Sequence, residues 1–231
     1  MREIALVTGA SSGIGQAITE KLLESGYEVY GIGRNFSACP FREAEHFHEI
    51  ALDLLDTTAL FAFLETLPKE NLTVLVNSAG CAWYGPHETL SEKAIQTMTR
   101  VNLETPLLLC GKLLRPLKQN HGTIINIASV TALETSTHGA AYGALKAALV
   151  HFSRTLFEEH RKSGLKVSVI LPDMTDTALY RNADFEPDRS EGAYLSPEDT
   201  ANAVMSVLSA REGTVLSEIV LRPQYRRIHR K

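Results

Sequence analysis

At 231 residues, with 44% hydrophobic and 22% charged residues, the chain has an ordinary globular composition, enough for one sizeable core, and reads as a single domain over 1–231. A formal net charge of −4 gives no overall basic signature for a nucleic-acid partner, and the basic end "RRIHRK", Arg226 to Lys231, reads as a solvated terminus. The widely spaced Cys39, Cys81 and Cys110 argue against a disulfide framework, and with neither a secretory signal nor a membrane-length apolar stretch the expectation is a cytoplasmic protein without a membrane partner.

The run "EIALVT" predicts the first strand and leads into "TGASSGIG", Thr8 to Gly15, which opens a helix over 15–26. Gly9 permits a tight turn, Gly13 lets the backbone approach a pyrophosphate, and Gly15 allows close helix–strand packing. Ser11, Ser12 and Ile14 complete a phosphate cradle at a helix N-terminus. The spacing differs from the common Gly-x-Gly-x-x-Gly fingerprint, and without a P-loop lysine an NTPase is rejected. The second strand, "EVYGIG", ends in Gly33, Arg34 and Asn35. A site for NAD usually carries an acid here, for the ribose 2′-hydroxyl; Arg34 instead suits a 2′-phosphate, so NADP is favoured over NAD.

A third strand, "HEIALD", ends at Asp53 and Leu54, and the His46 and His48 beside it find no third ligand for a metal. Helix 57–67 and strand "LTVLVN" follow, then "NSAG" and a helical segment over 91–117 that Pro106 bends or splits. Strand "TIINIAS" precedes a helix over 140–164, and strand "KVSVIL" precedes an irregular stretch of roughly 172–195 that suits a substrate loop. Ser196, Pro197 and Asp199 start a helix over 196–210, and "EIVLRP" is the seventh strand. This alternation predicts an α/β doubly wound Rossmann fold, with a predominantly parallel seven-stranded sheet and helices on both faces.

In "YGALK", Tyr142 and Lys146 lie one helical turn apart on one face. A carbonyl accepting hydride needs a proton at its oxygen, and Tyr142 is the candidate acid. A phenol is poorly matched to neutral pH, so the nearby ammonium is expected to lower its pKa. Trp83 and Tyr84 follow "NSAG" and either contact substrate or pack the loop. His138 reads as a surface histidine ahead of a pocket-lining one, Cys81 as a packing residue, and Arg181 and Arg189 as solvated loop charges ahead of a grip on a substrate carboxylate.

These motifs, in this order, resemble the short-chain dehydrogenase/reductase family along nearly the whole chain. "TGASSGIG" matches its cofactor turn. Asp53 with Leu54 matches the adenine pocket, and "NSAG" (Asn77, Ala79 and Gly80, with Ser78 in place of a second Asn) matches its fourth-strand segment. The resemblance implies a catalytic set of Asn102, Ser129, Tyr142 and Lys146. It further implies cofactor contacts from Tyr142, Lys146, Pro172, the Thr175 amide and Thr177. Asn102 would position a water that links Lys146 to solvent, and Ser129 would hold the carbonyl. In "PDMTDT", Asp173 stands where the family has glycine and Thr175 where it has valine. The ending "SEIVLRPQ" lacks the glycine-rich close of acyl-carrier reductases. The implied function is an NADP-dependent oxidoreductase interconverting a small-molecule carbonyl and an alcohol, acting as a homodimer or homotetramer through its fourth and fifth helices. The competing reading is a non-catalytic, redox-sensing protein that binds NAD(P).

Overall fold

The computed structural model describes residues 2–231. Seven strands form one parallel sheet in the order β3-β2-β1-β4-β5-β6-β8. They are β1 (Ile4–Thr8), β2 (Glu28–Gly33), β3 (Phe47–Ala51), β4 (Leu72–Asn77), β5 (Thr123–Ile127), β6 (Lys166–Pro172) and β8 (Glu218–Leu221). All seven are the strands expected from the sequence. The near-continuous apolar runs of β1, β4, β5 and β6 are buried along almost their whole length, because helices cover both faces of the sheet.

One face packs against α1 (Gly13–Glu24) and α6 (Pro197–Leu208) through Ile18, Leu22, Val204 and Val207. The other packs against α2 (Thr57–Thr66), α4 (Thr105–Gln119) and α5 (Ala140–His160) through Leu60, Leu64, Leu109, Leu113 and Leu156. A buried leucine of this kind is worth about 2–5 kcal/mol against alanine, so these two layers hold the sheet. The strand order reverses between β1 and β4, and there the carboxyl ends of the strands open a crevice. Helix α6 starts with the expected capping box, Ser196 and Asp199 each accepting from the other's backbone N–H.

The 91–117 segment is split just before Pro106, in keeping with the expected bend or split, and the interruption takes the form of a π turn. It runs as α3 (Glu92–Thr99), a π turn over Arg100–Glu104, and then α4, with Pro106 in the first turn of α4. Proline has no N–H to give to the carbonyl four residues back, here that of Asn102, and the ladder loosens just there. The basic terminus departs from expectation and is not a free solvated end. Ile228–Arg230 forms β9, which pairs antiparallel with β7 (Phe185–Pro187) inside the long loop. Lys231 Nζ donates to the carbonyls of Tyr180, at 2.8 Å, and Ala183, at 3.3 Å. Among the described residues no helix is long and apolar enough to cross a membrane, and no group of three potential ligands can hold a metal ion.

Candidate active site

Strands β1 and β4 run side by side, with Thr8 opposite Asn77. The Thr8 hydroxyl accepts from the N–H groups of Ser78 and Ala79, both at 3.1 Å, and so shapes the turn after β4. Sequence reading missed this role, although a hydroxyl at a strand end facing a neighbouring turn was the available signal. Gly9 has φ 71°, and a Cβ there would lie 2.8 Å from Ala79 Cα. Only glycine lets the two turns meet this closely.

A cleft of about 560 Å³ lies along this seam. Gly9, Ser11, Ser12, Gly13, Ile14 and Gly15 line one end of it. The N-cap Ser12 makes no side-chain bond to the first turn of α1, and that turn carries no acid. Its amides are therefore uncapped donors, which suits an anionic group. Arg34, Asp53 and Leu54 line the same end. The Asp53 carboxylate accepts from the Leu55 N–H at 3.0 Å, and Arg34 is exposed with no acid paired to it among the described residues.

Ala79, Gly80, Ser129, Tyr142 and Lys146 line the middle of the cleft, and Pro172, Thr175 and Thr177 its far wall. The Thr177 hydroxyl accepts from the Leu179 N–H, and its methyl would stand 3.1 Å from a Cβ at Gly13. Thr177 and Gly13 thus oppose each other across a narrow gap. Asp173, in place of the expected glycine, needs no left-handed backbone; its carboxylate accepts from the Met174 N–H at 2.9 Å. It also faces Arg222 at 3.6 Å and Arg226 at 3.8 Å.

Two expected site residues do not line the cleft. Asn77 is buried in the sheet and donates to Asn126 Oδ1 at 2.8 Å. Asn126 donates onward to the Ser153 hydroxyl, also at 2.8 Å. Asn102 sits in the π turn, with its side chain spent on the carbonyls of Cys81 and Met98, at 2.8 and 2.9 Å, and on the Cys81 N–H. Conversely, Trp83, Tyr84 and His138 do line it. His138 adopts φ 65° and its carbonyl accepts from the Gly85 N–H, which ties the two flanking loops together.

Tyr142 and Lys146 are each 4% exposed. Burial pushes the Tyr142 phenol well above its ordinary value, and a hydrogen bond from Ser129 opposes that rise. Burial also lowers Lys146 to about 8. The expected acidifying effect of Lys146 is not what this arrangement gives. Its Nζ donates to the Ile127 carbonyl at 2.8 Å and lies 5.7 Å from the centre of the tyrosine ring, so desolvation governs the phenol. Burial raises the Cys81 thiol as well, against nucleophilic use.

Comparison with known proteins gives concordant results. The family model for short chain dehydrogenase matches residues 3–187. An uncharacterized oxidoreductase of Staphylococcus epidermidis is 33% identical, aligned over 96% of this chain and 97% of its own. Serine 3-dehydrogenase of Agrobacterium fabrum is 32% identical, over 94% of this chain and 92% of its own. The closed form of serine dehydrogenase complexed with NADP+ superposes with a TM-score of 0.84 at 25% identity, covering 94% of each chain.

Proposed function

The chain belongs to the short-chain dehydrogenase family and is an NAD(P)-dependent oxidoreductase, and from that premise we propose that it uses NADP to interconvert a carbonyl and a secondary alcohol. The observation that carries this reading is the convergence of Ser129, Tyr142 and Lys146 on the cleft that the uncapped amides of α1 also enter. Those amides fit the pyrophosphate, and unpaired Arg34 fits a 2′-phosphate better than a bare ribose hydroxyl. Thr177 and the Thr175 amide fit the carboxamide side. When bound, the nicotinamide supplies the hydride.

The protein's own part is positioning and proton delivery. The Ser129 hydroxyl, which also accepts from the Thr131 N–H at 3.2 Å, fixes the substrate oxygen beside Tyr142. Burial keeps the phenol protonated at neutral pH, which is the form that reduction requires. As negative charge develops on the substrate oxygen, Tyr142 gives up its proton. Lys146, largely charged at pH 7 with a pKa of about 8, stands 5.7 Å from the ring centre, where desolvation outweighs it in the resting phenol but its charge partly offsets the transient phenolate. Because the Asn102 side chain is already satisfied, a water-positioning role falls to its backbone carbonyl in the loosened turn. Exposed Leu107 on α4 supports association through α4 and α5.

The test is reduction of a panel of ketones, aldehydes and 3-oxo esters by purified protein. NADPH should be consumed faster than NADH. Tyr142→Phe should lower kcat by at least 1,000-fold, at the upper end for loss of a general acid, while NADPH still binds. Undiminished turnover in that variant would remove Tyr142 from the mechanism.

A further inference from the structure

The terminal segment Arg222–Lys231 folds back as a strap over the substrate end of the cleft, where Arg226, Ile228 and Arg230 join its lining. A clasp holds its base. The carboxylates of Asp173 and Glu134 both face Arg222 and Arg226, Glu134 at 2.6 and 3.4 Å. The pairing of β7 with β9 and the bonds from Lys231 fix its end.

The charges at this end do not balance. Arg226 is taken up by the clasp, and Arg189 pairs with Asp176 at 3.4 Å. Arg181 and Arg230 line the cleft, and among the described residues no carboxylate pairs with either. Among the described residues, Asp184 is the one acid lining this end outside the clasp. Arg230 stands opposite Phe185 in the β7–β9 register, so the two side chains share a face. The Phe185 ring is 5.0 Å from Tyr84, and Tyr84 is 5.8 Å from Tyr142. Arg230 is thus two aromatic rings from the proposed acid. Arg181 lines the same cleft from the loop after β6, and its charge, like that of Lys146, is felt at the Cys81 thiol.

We infer that the strap is the substrate-reading element of this site, with Arg230 and Arg181 receiving a carboxylate on the substrate, so that oxo acids and hydroxy acids are preferred over their neutral counterparts. The inference rests on the reductase reading above. A guanidinium fork matches a carboxylate in two hydrogen bonds, and the rings of Tyr84, Tyr180 and Phe185 lower the local dielectric and strengthen the attraction.

The test compares 7-oxooctanoate, whose chain is long enough to reach from Tyr142 past the two rings, with its methyl ester, both reduced with NADPH. The wild type should favour the acid at least tenfold in kcat/KM. Arg230→Met and Arg181→Met should each lower the acid-to-ester ratio about tenfold. Arg227→Met, on the same strap but stacked on Tyr225 outside the cleft, should leave the ratio as it is. A wild type indifferent to the carboxylate, or an Arg230→Met ratio within twofold of wild type, overturns the inference. A binding measurement separates this from failure of the reductase reading. Calorimetric titration of the NADP-saturated protein should detect butanoate but not butanamide, with butanoate binding lost in Arg230→Met. Equal binding of the two probes sinks the strap's role even if carbonyls are reduced. Selective butanoate binding without any reduction would keep the strap's role and sink the reductase.

Discussion

An ammonium and a phenol on successive turns of α5 are both held almost wholly out of water, and burial moves their pKa values in opposite directions. Desolvation penalises whichever form is charged, so the phenol is held neutral and the ammonium is weakened. At pH 7 the pair is therefore neutral tyrosine and charged lysine, as proton donation demands. Lys146 also leaves a signature in stability. The unfolded chain keeps its proton up to its ordinary value of 10.5, whereas the folded chain releases it near 8. Between those values the unfolded state binds more protons, so stability must rise with pH. Below pH 8 both states are protonated and the burial penalty is constant. Urea unfolding of wild type and Lys146→Met at pH 7, 8, 9 and 10 should show wild type gaining about 2 kcal/mol on the variant from pH 8 to 10. A flat difference would mean that Lys146 keeps its proton through this range.

At the scale of elements, the cofactor-side turn after β6 and the strap depend on one another through Asp173. Its carboxylate side chain is 3% exposed, while those of Arg222 and Arg226 are 43% and 55% exposed. Water screens the arginine side, so the clasp is worth far less than a fully buried pair. Asp173→Asn keeps the volume and the bond from Met174 but removes the charge. It should cost about 1 kcal/mol and speed tryptic cleavage after Arg226 and Arg227 several-fold, with high salt bringing wild type toward the variant. Equal cleavage rates at low salt would show that the strap is held by the β7–β9 pairing alone. The sequence foretold some elements and not others for the same physical reason. Long apolar runs such as "LTVLVN" and the local Tyr142–Lys146 spacing carry their own signal. The clasp joins residues far apart in the chain, and β9 is a three-residue strand whose partner lies in an irregular loop. Neither leaves a periodicity to read. Asn77 and Asn102 were legible as polar residues at strand and helix positions, yet whether each faces the cleft or its supporting wall is decided by packing partners. Burial likewise reversed the expected shift of Tyr142, because its depth is set by the whole sheet and not by its helix.

For the whole molecule, the reversal of strand order places the cleft at the carboxyl ends of the strands and leaves the outer surfaces of α4, α5 and β8 facing away. Apolar groups are exposed on two of these surfaces. Leu107 on α4 is 37% exposed, and one turn on, Gly111 has open space where a Cβ would be. Val220 is 42% exposed on β8, the edge strand of the sheet. The two surfaces call for different assemblies. The α4 face can take a second helix at close range, because glycine removes the obstruction. Edge pairing through β8 would have to accommodate Glu218, which is engaged by Arg154. For the proposed self-association, the α4 face is thus better suited than the β8 edge. A stable interface there would cover about 800 Å² per subunit, and a charge placed at its centre would desolvate without a partner. Light scattering after size exclusion should find wild type as a dimer or tetramer, Leu107→Glu shifted to a smaller species, and Val220→Glu unchanged. If Val220→Glu alone dissociates the assembly, subunits meet along the sheet edge. If wild type is a monomer at tens of micromolar, the exposed α4 face has no self-association to explain it.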